Sequence, residues 1–353
     1  MDPDEKVRLI LDGAAEVITV DELRELFENK DEPLVYWGFE CSGYIHLGIG
    51  LVTSRKMRHF LETGMRLIIL LADWHSWINN KFGGDMEKIK VAGEYFKHAF
   101  TALSVKGPKV EYMWAEDLVN KEGYWETLIR IAKRVSLNRV IRSLPIMGRR
   151  DTSEISEFAW LIYPLMQATD IFMLDVDVAG AGIDQRKAHM LARDVASPLN
   201  FKKAVFVHTP LLPSLDAEVP LSKDEIIYSK MSKSRPGSAV FIHDDEETVR
   251  RKVMKGFCPP NDVDRNPFMY LYKIVIFPYI RDLGREVVIN TRRGELVYTR
   301  YDDFSRDYRE GKMHPLDIKE AAVEYLNIIL DPVRKYFDAH SDILDTMASI
   351  MQQ

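Results

Sequence analysis

From residue 34 onward, short apolar runs of strand length alternate with longer stretches of helical spacing: 34–39, 67–71, 110–114 and 204–207 are β-like, with amphipathic segments between them. That alternation predicts an α/β fold, a parallel doubly wound sheet with helices on its faces. In such sheets a ligand sits outside the carboxyl ends of the strands, where strand order reverses. The rule singles out residues 39–50, 72–75 and 180–185.

A chain of 353 residues, 46% of them hydrophobic, can fill one full core and a smaller second one. Residues 1–33 read as a helical N-terminal segment. Thr19 and Glu22 have the spacing of a capping box, and Pro33 ends the pattern. Residues 34–222 are expected to form the doubly wound domain, with an insertion at about 115–155. Residues 223–258 form a loop and linker, with an acidic helix start at Asp244-Asp245-Glu246-Glu247; a helical domain is expected over 259–353.

With 48 basic against 54 acidic residues, no global field draws a polyanion, so any RNA contact must come from local patches. Cys41 and Cys258 are too few for a disulfide framework and lack zinc-site spacing, so no bound metal is expected and a reducing cytoplasm fits. The N-terminus has no leader pattern, and apolar runs such as 67–72 are too short to span a bilayer.

Three constellations carry chemistry. After the first strand, Glu40 to Gly50 makes a glycine-bearing turn into a helix, where free N–H groups and His46 can meet a phosphate and Gly48 and Gly50 allow close approach. Alone, that turn also reads as an ordinary tight turn. Beyond the last strand lies Lys230-Met231-Ser232-Lys233-Ser234, whose ammonium groups suit charge building on a leaving pyrophosphate; its bland reading is an exposed basic loop. Tyr163, Gln167 and Asp170, at i, i+4 and i+7, form a polar stripe on an otherwise apolar helix, facing either a ligand or polar neighbours.

The lysine loop resembles the KMSKS loop of class I aminoacyl-tRNA synthetases at all five positions. Together with Tyr36 to Glu40, the Tyr163–Asp170 set and Gly180 to Lys187, it makes nearly the whole chain resemble tyrosyl-tRNA synthetases of the archaeal and eukaryotic type. The resemblance implies a Rossmann-type catalytic domain with a helical connective insertion and an α-helical anticodon-binding domain. It implies L-tyrosine, ATP with Mg²⁺, and tRNA(Tyr) as ligands, and a homodimer.

By the same resemblance, Tyr36 and Asp170 bind the substrate phenol, and Tyr163, Gln167 and Gln185 hold its α-amino group. Gly38, Glu40, His46, Gly48, Gly182, Asp184, Lys230, Met231 and Lys233 meet ATP, with His46, Lys230 and Lys233 catalytic. Arg142 and Arg186 read the first tRNA base pair, within a surface that includes the basic run Arg130 to Arg150, and His314 and Asp317 read the wobble base. Two positions depart from the pattern: Ile49 stands where a second histidine is usual, and Cys41 where a proline precedes Ser42. The rivals are a tryptophanyl enzyme, against which Asp170 with Tyr36 argues, and an inactive synthetase-like RNA-binding or signalling protein.

Overall fold

A computed structural model describes residues 1–148, 155–222, 229–231 and 239–351. The chain divides into two compact units, Met1–Gly43 with Arg55–Pro210 and Asp345–Gln353, and Tyr44–Ser54 with Leu211–Leu344.

The first unit is built on a six-stranded sheet: β1 (Glu16–Ile18), β2 (Leu34–Phe39), β3 (Arg66–Leu71), β4 (Val110–Trp114), β5 (Val178–Gly182) and β6 (Val205–Thr209). Spatial order is β1-β6-β5-β2-β3-β4. Strands β2 to β6 run parallel, so the order reverses between β2 and β5, the crevice that open α/β sheets use for ligands.

The sheet is mixed rather than wholly parallel, because β1 closes one edge antiparallel to β6 with Glu16 opposite His208. This three-residue strand lies inside the segment expected to be helical. Its neighbours are helical as the spacing predicts: Pro3–Leu11, and Val20–Asn29, whose N-cap Thr19 and Glu22 form the expected capping box.

Helices Ala115–Val119, Tyr124–Ala132 and Leu137–Ile141 occupy the span between β4 and β5, followed by Ala159–Met173. Their apolar faces join Ile68, Leu70, Met166, Ile171 and Phe206 in one buried core. Gly180 lies opposite Trp37, and a Cβ there would come within 2.4 Å of the indole, so only glycine lets the two strands pack.

The second unit carries the helices Glu246–Met254, Tyr301–Arg309 and Pro315–Asp338. The acidic start at Asp245 is a true N-cap, accepting from the Thr248 amide. A hairpin of β7 (Val287–Thr291) and β8 (Gly294–Tyr298) interrupts the helices, its turn made by Arg292 and Arg293 with Gly294 at φ +123°. The Tyr325 hydroxyl accepts the Val288 amide at 2.5 Å and donates to its carbonyl, pinning the hairpin to the long helix.

Candidate active site

Alternation along β2 puts Trp37 and Phe39 on one face, stacked at 6.2 Å, and Tyr36 and Gly38 on the other, with Glu40 just beyond the strand end. Gly38 is exposed near the carboxyl end of a central strand, although a Cβ there would meet only ordinary contacts at 3.6 Å and beyond. Protein packing does not demand glycine there. The bare patch leaves room for a ligand against the sheet.

Over the same end of the sheet, helix Ala159–Met173 brings Tyr163, Gln167 and Asp170 to one side. Asp170 is 1% exposed. Its Oδ1 accepts the Tyr124 hydroxyl at 2.7 Å, and its Oδ2 lies 3.1 Å from His75 Nε2, which is not aligned for a hydrogen bond. Burial drives the His75 pKa down, but the Asp170 carboxylate, helped by Glu40 and Asp73, offsets this and leaves it raised. Tyr36 is fully buried; burial first, and then the Asp170 charge, raise its pKa, so its hydroxyl keeps its proton. Among the described residues that hydroxyl has no hydrogen-bond partner.

A second knot forms at Glu40. Its Oε1 accepts Tyr163 Oη at 2.9 Å and Asn79 Nδ2 at 2.7 Å, and its Oε2 pairs with Lys81 at 3.2 Å. Burial, then Glu40, raise the Tyr163 pKa well above its ordinary value. Gln167 Nε2 reaches Gln185 Oε1 at 3.4 Å, and Gln185 donates to Ile146 O and Asp184 Oδ2. Gln167 Oε1 is buried with no partner among the described residues, an acceptor suited to a donor such as an ammonium group. Gly182 ends β5 and Asp184 sits in the turn beyond it.

Tyr124, His75, Asn79 and Lys81 were not singled out from sequence. Residues 72–75 were flagged as following a strand, and the turn after β3 does deliver His75. Asp73 holds that turn: its Oδ1 accepts the amides of Trp74 and Glu116, and its Oδ2 pairs with Lys90 at 2.6 Å. Cys41, where a proline is usual, uses the amide that proline lacks to donate to Ser76 Oγ at 2.8 Å.

In the second unit, residues 45–47 pair with 240–242: Leu47 N donates to Val240 O, Ile242 N to Ile45 O, and His46 bridges Phe241. The Gly48 amide donates to His46 Nδ1 at 3.1 Å, which makes Nδ1 the acceptor and puts the proton of the neutral ring on Nε2. Gly48 backs onto Leu212, where a Cβ would meet Leu212 Cβ at 3.3 Å. Met231 N donates to Leu212 O at 2.8 Å, and Lys230 bridges Pro213. The His46 turn and the Lys230–Met231 segment are therefore held on one stretch of backbone. Met231 is buried, Lys230 and Ile49 are half-buried, and Lys233 lies outside the described residues.

The expected RNA contacts are dispersed. Arg142 is exposed at the end of helix Leu137–Ile141, whereas Arg130 donates to Leu199 O, Arg139 pairs with Asp194, and Arg149 and Arg150 lie outside the described residues. Arg186 begins helix Arg186–Ala196 with its Nε on both oxygens of Glu16, at 3.0 and 2.8 Å. His314 and Asp317 cap Pro315–Asp338: Leu316 N donates to His314 Nδ1, and His314 N donates to Asp317.

A nucleotide-type sheet crevice, a buried carboxylate within the field of the Tyr36 phenol, and a lysine-bearing segment beside a His-Leu-Gly turn define a class, and comparison agrees with it. The chain belongs to the tRNA synthetases class I (W and Y), whose family model matches residues 28–331. It is similar to the tyrosine–tRNA ligase of Pyrococcus furiosus, 43% identical with 99% of each chain covered, and to that of Sulfolobus acidocaldarius, 42% identical over 99% of this chain and 98% of the relative. Among solved structures it is similar to the tyrosyl-tRNA synthetase of Pyrococcus horikoshii complexed with L-tyrosine: TM-score 0.91, 43% identity, covering 99% of this chain and 100% of the other. No helix among the described residues is long and apolar enough to cross a membrane.

Proposed function

We propose that this chain is a tyrosine–tRNA ligase: it activates L-tyrosine with ATP to tyrosyl-adenylate and pyrophosphate, then transfers tyrosine to the 3′ end of tRNA(Tyr). The observation that carries the reading is Asp170, a buried carboxylate held by Tyr124 within the field of the Tyr36 phenol. A phenol hydroxyl can donate to Asp170 and accept from Tyr36, whereas phenylalanine leaves the Tyr36 hydroxyl unpaired and Asp170 with only its protein contacts to Tyr124 and His75, a penalty reaching roughly 10⁴ to 10⁵ in selectivity. Gln167 Oε1, with Tyr163 and Gln185, suits the α-ammonium group. Gly38, Glu40, Gly182 and Asp184 suit the nucleotide at the same strand ends.

In the activation step a tyrosine carboxylate oxygen attacks the α-phosphorus, the bond to the bridging oxygen breaks, and negative charge gathers on the leaving pyrophosphate. Lys230, Lys233 and the Nε2–H of His46 are the groups suited to meet it. Ile49 offers no hydrogen bond, so the lysines and the backbone amides of the turn take a larger share. Mg²⁺ is proposed to arrive on the ATP phosphates, where it would neutralise charge.

The RNA roles of Arg142, Arg186, His314 and Asp317, cytoplasmic location and a homodimer belong to the same proposal. Supporting the homodimer, Trp125, Ile129 and Leu137 of the insertion are exposed apolar side chains, with Trp125 packed on Trp74. Tyrosine-dependent ATP–pyrophosphate exchange, measured beside tryptophan and phenylalanine, tests the central claim. Exchange with tyrosine alone is expected, and silence with all three would overturn it.

A further inference from the structure

We propose that Glu16 is a positioning residue that sets RNA selectivity, by holding Arg186 through its Nε in a carboxylate pair that a correctly placed tRNA acceptor end displaces and a casual RNA contact does not. The inference rests on the reading of Arg186 as an RNA contact in a tRNA ligase.

Both groups are reachable from solvent, with side-chain exposures of 47% for Arg186 and 29% for Glu16. An exposed pair of this kind is ordinarily loose. Here the carboxylate is fixed from behind. Its Oε2 lies 3.0 Å from His208 Nδ1, and His208 Nε2 lies 3.0 Å from His189 Nδ1. Both histidines are fully buried, His189 stacks on Phe206 at 4.7 Å, and its Nε2 has no partner among the described residues.

A carboxylate only accepts, so His208 Nδ1 donates to Glu16, its Nε2 accepts, and His189 Nδ1 is the donor to it. Every proton in the row points toward Glu16. Burial keeps both imidazoles neutral, since it lowers their pKa values. Burial also raises the Glu16 pKa, but the Arg186 and His208 contacts more than offset that and leave it lowered.

The row closes on itself, because His189 lies one turn along the helix that Arg186 begins, and His208 is the register partner of Glu16 across β1 and β6. Glu16 is thus a preorganised internal competitor for the Arg186 Nε–H. Asp184 and Gln185, assigned above to ATP and tyrosine, immediately precede Arg186, so the pair adjoins that site in the chain. An RNA that offers one stray phosphate gains little by breaking a two-oxygen pair, whereas a base edge or phosphate held in register by the rest of a tRNA does gain.

The test is filter binding at fixed salt of tRNA(Tyr) and a noncognate tRNA to the unaltered chain, Glu16→Gln, Arg186→Ala and the double variant. Glu16→Gln is expected to tighten noncognate binding on the order of tenfold and cognate binding less, with the gain absent when Arg186 is alanine. Glu16→Asp, which keeps the charge but shortens the reach, should shift selectivity the same way and separates pairing from net charge. Unchanged noncognate affinity in Glu16→Gln, or a gain that persists without Arg186, overturns the proposal. Tyrosine-dependent exchange without RNA should be unaltered in Glu16→Gln, which shows that the variant is folded. Absence of exchange in the unaltered chain would instead overturn the ligase reading beneath it.

Discussion

Asp170 divides its two oxygens between partners that lie far away in the chain, Tyr124 on one side and His75 on the other. A hydrogen bond to a charged group contributes about 1.5 to 3 kcal/mol, and roughly 1.4 kcal/mol is a factor of ten. Tyr124→Phe should therefore raise the KM for tyrosine by about tenfold, leave kcat nearly unchanged, and narrow discrimination against phenylalanine. Exchange kinetics with both amino acids would show it, and an unchanged KM would reduce Tyr124 to a space filler. The stripe Tyr163, Gln167, Asp170 was legible because one helical period writes it into eight consecutive residues. Tyr124 was not, since 46 residues separate it from Asp170 and nothing local ties a tyrosine in the insertion to a carboxylate on another helix. His75 gave half a signal, its place just after a strand.

At the scale of elements, strands rich in branched or aromatic side chains announced themselves, and those without did not. The run 34–39 matches β2 and 110–114 matches β4. β5, Val-Ala-Gly-Ala-Gly, is central and buried yet built of small residues, because Trp37 of β2 fills the space over Gly180. Gly180→Ala should accordingly overpack this junction and cost about 1 to 3 kcal/mol, seen as a lower urea midpoint. A midpoint equal to that of the unaltered chain would mean that the indole can turn aside. β1 is only three residues long between two capped helices, and the β7–β8 hairpin lies among helices. A three-residue strand such as β1, whose pairing is decided by the distant β6, carries little periodicity of its own.

At the scale of the whole molecule, acid should weaken the fold through His243, whose ring meets Tyr44 at 4.6 Å and Phe337 at 6.0 Å. Burial, and then nearby Lys252, lower its pKa to about 4. An unfolded chain takes up that proton near pH 6.5. Stability is therefore lost as pH falls from about 6.5 to about 4, by up to about 3 kcal/mol, and no further below that. Urea unfolding at pH 7 and pH 4.5 should show the drop, and His243→Gln should lose that share of it. The backbone at 211–213 has a different consequence. Gly48 rests on Leu212, and the Met231 amide donates to the carbonyl of the same residue, so two motifs far apart in sequence lean on one shared rail. Drift in that unremarkable apolar segment would be felt at the histidine and the lysine together, so the selective constraint on Leu212 is that of two functional motifs although its side chain performs no chemistry.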